Sequence, residues 1–159
     1  MGAGAILREV IAAAELLEAD FGVGADVWSV TSFAELRRDA MGVQRWSRLH
    51  PDSEKRISWL DRCLGGVDGP IVAASDYVRS VADLIAPWVP GRYLSLGTDG
   101  FGRSDTRIAL RKFFEVDRDS IVISALSSLA DDGRIERVLV SEAMRKLGYQ
   151  PGEANPWDI

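Results

Sequence analysis

One cysteine and one histidine in 159 residues remove more chemistry than any motif in the chain adds. A single Cys forbids a disulfide within the chain. One residue of each kind also rules out a zinc site assembled from Cys and His alone and leaves Cys63 and His50 as the one conceivable thiol–imidazole pair. Long apolar runs are missing too, since no stretch reaches the roughly 18 residues needed to cross a bilayer. Met1 to Val10 carries neither the basic region nor the cleavage signal of a secretory leader. Positive charge is in short supply: 19 Lys and Arg against 24 Asp and Glu give a formal charge of −5, the wrong sign for neutralising phosphates. Nucleic acid and membrane are therefore not expected as partners, and a cytoplasmic location is. What is present, 47% hydrophobic and 27% charged residues with 15 Gly and 6 Pro, suits one globular domain over residues 1–159, with no linker or repeat to divide it.

Ile6, Leu7, Val10, Ile11, Ala14, Leu17 and Phe21 recur every three or four positions, which predicts a helix over Ala5 to Phe21, stopped by Gly22 and Gly24. Asp26 to Thr31 is short and β-prone and reads as a buried strand. Ser32 then caps a helix bearing Phe33, Leu36, Ala40, Val43, Trp46 and Leu49, ended by Pro51. A short helix over 53–64, a strand over Ile71 to Ser75 and a helix capped by Asp76 follow, and then a strand over Tyr93 to Leu96. Beyond the loop Gly97 to Asp105 only helices are predicted: Thr106 to Phe114, Ser120 to Ala130 behind the cap Asp117, and Ile135 to Leu147, with an irregular tail over 149–159. Alternating strands and helices imply a three-layer α/β/α arrangement with a mainly parallel sheet, plus C-terminal helices. Met1-Gly2-Ala3-Gly4 leads straight into a helix, where such a glycine pair normally follows a strand. The first, central strand is therefore expected to be missing, as in a piece of a longer α/β protein.

The most unusual stretch is the loop just past the third predicted strand, where open α/β sheets place their ligands: Asp99, Gly100, Phe101, Gly102, Arg103, Ser104 and Asp105. Its bland reading has Ser104 or Asp105 capping the next helix, Phe101 plugging the core and Arg103 pairing with Asp99. A structural or interface role outweighs direct contact with a substrate. Gly2-Ala3-Gly4 matches half of G-x-G-x-x-G, but Leu7 replaces the third glycine and favours a plain turn over a phosphate cradle. His50 reads as a hydrogen-bonded helix end before an acid–base group, and Cys63 as a small buried hydrophobe before a reactive thiol. Asp131-Asp132 reads as solvated. Trp28, Trp46, Trp59, Trp88 and Trp157 fall on separate elements and are expected to serve packing, not a stacking platform.

The run Tyr93-Leu94-Ser95-Leu96-Gly97-Thr98-Asp99-Gly100-Phe101-Gly102-Arg103-Ser104-Asp105, followed by Phe113-Phe114-Glu115-Val116-Asp117, strongly resembles the C-terminal domain of homodimeric pyruvate dehydrogenase E1 components. So do Ile6-Leu7-Arg8-Glu9-Val10, Asp26-Val27-Trp28-Ser29-Val30-Thr31-Ser32-Phe33 and Leu49-His50-Pro51, in order over nearly the whole chain. A weaker echo of Phe101-Gly102-x-Ser104 occurs in transketolases, which share this domain. The resemblance implies an enzyme that decarboxylates pyruvate on thiamine diphosphate with Mg2+ and passes the acetyl group to a lipoyl arm of the E2 dihydrolipoyl acetyltransferase. It also implies that the cofactor lies between two other domains, that no catalytic, cofactor-binding or metal-binding residue transfers onto this chain, and that the chain alone is inactive. The expected partners are the remaining E1 domains, a second E1 subunit and, through the whole enzyme, E2. The rival expectation is a small independent binding or regulatory protein using the loop Asp99 to Asp105.

Overall fold

The computed structural model describes residues 1–149, 152 and 155–158. Its sheet is built around a parallel pair, β1 (Ile71–Ala74) and β2 (Tyr93–Leu96), in the register Ile71 to Tyr93 through Ala74 to Leu96. Beside β1 runs Met1–Ala3. Gly2 forms parallel bridges to Ala74 on one side and Ser29 on the other. The bonds run from Ala74 N–H to Met1 O (3.0 Å), Ala3 N–H to Ala74 O (3.1 Å), Gly2 N–H to Trp28 O (2.9 Å) and Val30 N–H to Gly2 O (2.9 Å). The order across the sheet is thus segment 28–30, Met1–Ala3, β1, β2. Gly2 therefore occupies a central position in the sheet, immediately before the turn into the helix. Asp26 to Thr31 is not the full strand expected. It is extended, but a ladder needs consecutive pairs, and Met1–Ala3 turns into a helix after offering Gly2 alone.

Side chains alternate across β1. Ile71 and Ala73 enter a core with Phe33, Ala40, Leu60, Leu64, Ala82 and Ile85, whereas Ala74 enters one with Ile6, Val10, Leu17, Ile121 and Leu126. Two helical layers follow. One face carries α2 (Phe33–Leu49), α3 (Trp59–Leu64) and α4 (Arg79–Asp83); the other carries α1 (Leu7–Phe21), α6 (Arg118–Asp131) and α7 (Arg137–Lys146), with α5 (Arg107–Phe113) between β2 and α6 in sequence. Burying an Ile or Leu completely contributes roughly 1.5 to 3 kcal/mol, and Ile6, Leu60, Leu64, Ile85 and Leu126 are all fully enclosed. This is the expected α/β/α architecture.

Several helix ends follow local chemistry. The Ser32 side chain accepts from Glu35 N–H, Asp117 accepts from Ser120 N–H at 3.0 Å, and Gly22 closes α1 in the left-handed region at φ 65. Others depart from expectation. The short helix begins at Trp59, not at residue 53, because Ser58 and Asp61 form a reciprocal capping box there. Asp76 does not cap a helix: residues 75–78 are drawn into the turn beyond β1, and α4 starts after Val78. In the tail, Pro156–Asp158 makes a single 3-10 turn; residues 150, 151, 153, 154 and 159 lie outside the described set. Among the described residues no helix is long and apolar enough to cross a membrane.

Candidate functional site

The loop after β2 is pinned at its start. A Cβ on Gly97 would stand 2.5 Å from Tyr77 O and 2.7 Å from Arg79 N, so only glycine lets the strand end press against segment 77–79. Thr98 fastens the same contact twice, through N–H to Tyr77 O (2.9 Å) and Oγ1 to Asp76 O (3.0 Å). Asp99 accepts from Arg79 N–H at 3.3 Å and faces the Arg79 guanidinium at 3.2 Å. Arg79 is thus the partner expected to be Arg103. Arg103 instead lies over the Phe113 ring, 4.2 Å from its centroid. Gly100, at φ 109, backs onto the C-terminal turn, where a Cβ would meet Pro156 O at 2.9 Å.

Beyond Gly100 the loop leaves the body of the protein. Phe101 is 81% exposed, not a core plug, and Ile108 on α5 is 82% exposed. Gly102 has nothing within 4 Å of a built Cβ. Asp105 accepts from Thr106 N–H (2.7 Å), but the cap of α5 is Thr106, whose Oγ1 accepts from Ala109 N–H; the cap is neither Ser104 nor Asp105. Behind the loop a cavity of about 430 Å³ reaches Ala5, Asp76, Arg107 and Arg111 at the carboxyl end of the sheet. Gly4 lies at φ 55, and Asp76 Oδ1 stands 3.1 Å from where its Cβ would be. A carboxylate already faces this helix entrance, so a phosphate would meet like charge, and Gly2-Ala3-Gly4 acts as a turn.

The other sequence candidates stay apart. His50 is exposed at the end of α2, its Nδ1 2.9 Å from Trp46 O and its ring stacked on Trp46 at 4.6 Å, a helix closure as expected. Cys63 is half-buried against the α2–α4 core. Asp131 and Asp132 are exposed yet engaged, Asp132 with Arg92 at 2.7 Å and Asp131 with Arg137 at 3.0 Å, which ties the end of α6 to the start of β2.

Two features escaped the sequence reading. Glu9 is 6% exposed and binds Arg111 (2.7 Å) and Arg118, through Nε at 3.1 Å and the backbone N–H at 3.2 Å. Its position three residues after Ile6 and four before Ala13 puts it on the buried stripe of α1, and that was the available signal. The second is a convergence of Trp28, Trp46 and Trp59 on one open groove of about 880 Å³ between segment 28–32, α2 and α3. Separate positions in sequence concealed it.

Residues 1–117 match the family described as transketolase-like TK C-terminal domain. The chain belongs to this family. It is 55% identical over 159 residues to the pyruvate dehydrogenase E1 component of Pseudomonas aeruginosa, which covers 99% of this chain and 18% of that protein. Identity to the pyruvate dehydrogenase E1 component of Cupriavidus necator is 50%, over 100% of this chain and 18% of the relative. For that of Escherichia coli it is 45% over 157 residues, 98% of this chain and 18% of the relative. This transketolase-like C-terminal domain therefore spans about a fifth of the length of the relatives it matches. Among the described residues no group of three or more His, Cys, Asp or Glu is placed to hold a metal ion.

Proposed function

We propose that this chain is the C-terminal, non-catalytic module of a thiamine diphosphate-dependent pyruvate dehydrogenase E1. The parent reaction is oxidative decarboxylation of pyruvate with transfer of the acetyl group to lipoyl-E2. The module's part is to support domain and dimer packing, with the cofactor and Mg2+ held by other regions of the E1 chain. Asp99 to Asp105 is the surface offered to those regions or to a second E1 subunit.

The observation that carries this reading is the outward turn of two apolar side chains, Phe101 at 81% and Ile108 at 82% exposure, with Phe101, Arg103 and Arg107 lining one cavity. Large side chains turned to water next to cations suit a surface that another polypeptide covers. A substrate site would instead enclose its polar groups. In the full-length E1 the decisive experiment is Phe101→Asp, read by sedimentation and by turnover. Weakened assembly, with turnover per assembled enzyme retained, supports the reading; intact assembly with a large fall in turnover overturns it and places the loop at the active site.

A further inference from the structure

The tryptophan groove lies at the edge of the sheet opposite the loop Gly97 to Asp105, beside segment 28–30, and the role proposed above does not use it. Its volume of about 880 Å³ falls within the range of small-molecule sites, roughly 300 to 1,000 Å³. Trp46 is occupied by its own neighbours, with His50 stacked on the ring and the Arg56 guanidinium 4.1 Å from its centroid. Trp28 packs partly against the core and is half-buried, Trp59 is 57% exposed, and among the described residues neither ring carries a stacked ring or a cation.

The charges around these faces are unequal. Glu35 is paired with Arg38, and Asp39 accepts the Trp59 backbone N–H at 2.7 Å. Among the described residues Arg45 and Arg56, which also line the groove, have no carboxylate partner. The backbone adds a donor. Trp28 O and Val30 N–H point to Gly2, so strand alternation turns the Ser29 N–H away from it, and among the described residues that N–H makes no hydrogen bond.

We propose that this groove binds a planar aromatic anion. Trp28 and Trp59 supply the flat apolar contact, and Arg45 and Arg56 supply charge-assisted hydrogen bonds to a carboxylate or sulfonate. A neutral aromatic would leave both guanidinium groups uncompensated, and a small inorganic anion would leave the indole faces in water. Both halves of the ligand are therefore required.

The test titrates 2-naphthoate into the ¹⁵N-labelled 159-residue chain, following the indole N–H resonances. Saturable shifts at Trp28, Trp46 and Trp59, with Trp88 and Trp157 unmoved, are expected. The double variant Arg45→Gln/Arg56→Gln, at surface positions, should weaken binding at least about tenfold, as should replacing the ligand with neutral 2-naphthalenemethanol. Absence of saturable shifts, equal shifts at all five indoles, equal affinity for the neutral alcohol, or unchanged affinity in the double variant overturns the proposal.

Discussion

Glu9 in the first turn of α1 accepts a hydrogen bond from the Arg111 guanidinium at 2.7 Å, across 102 positions of sequence. The carboxylate is buried, and its second oxygen takes both the backbone N–H and Nε of Arg118. One side chain thus ties α1 to α5 and to the first turn of α6. Glu9→Ala would strand a largely buried guanidinium and an amide. The expected destabilisation is about 3 to 5 kcal/mol by denaturant unfolding, whereas Arg118→Ala, at the half-exposed partner, should cost about 1 kcal/mol. Replacing Glu9 and Arg111 together with Leu and Met should recover part of the loss, because no buried charge is then left unpaired and the half-exposed Arg118 guanidinium can turn to water.

Two glycines of the loop, Gly97 and Gly102, should respond differently to a methyl group. Gly97→Ala puts a Cβ 2.5 Å from Tyr77 O and 2.7 Å from Arg79 N, both backbone atoms that cannot rotate away. A loss of roughly 1 to 3 kcal/mol is expected in thermal unfolding. Gly102→Ala meets open space and should be neutral within about 0.5 kcal/mol. Equal effects at both positions would show that the strand end is not held against segment 77–79.

Alkaline pH probes two half-buried phenols. Burial raises the pKa of Tyr93, whose hydroxyl donates to Ala82 O at 2.8 Å, with the Asp83 charge adding to the rise; burial likewise raises Tyr149, which bonds Ser120 beside the Asp117 cap. Both groups hold their protons in the fold at a pH where the unfolded chain releases them. Their contribution to stability is therefore full below the ordinary phenol value near 10 and is lost as pH rises above it. Phenolate absorbance should show these two tyrosines ionising together with unfolding. Independent, reversible ionisation in the folded state would contradict the burial.

The Met1 amino group donates to Val72 O at 2.7 Å, and burial lowers its pKa from 8.0 to about 6. A base with a depressed pKa favours the fold in its neutral form. That stability is present above pH 8 and declines as pH falls to 6, by about 2 to 3 kcal/mol. A trench of about 460 Å³ continues the line of Met1 between Gly24–Trp28 and Pro70–Val72. Adding about seven β-prone residues ahead of Gly2 should fill this trench, raise the unfolding temperature and abolish the step between pH 6 and 8. A chain whose stability and pH profile ignore the extension would show that the trench does not accept a strand.

Much of this architecture was legible in the sequence because its signals are local. The spacing of Ile6, Val10 and Leu17 places a helix and its buried face, and Ser32 and Asp117 cap the following helices through side chains that reach only three residues. The run from Tyr93 to Asp105 carried the family resemblance. Local chemistry failed where neighbours compete or where a partner is remote. Ser104, Asp105 and Thr106 are all competent caps, and the helix uses Thr106. Asp26 to Thr31 has the residues of a strand but pairs at Ser29 alone, since a ladder belongs to two segments. Asp99 meets Arg79 instead of Arg103, and three tryptophans from three elements share one groove, because chain reversal brings distant residues closer than sequence neighbours. Periodicity specifies which side of an element is buried. Which residues meet across that buried surface is set by the packing of whole elements, and Glu9 with Arg111 is the plainest instance.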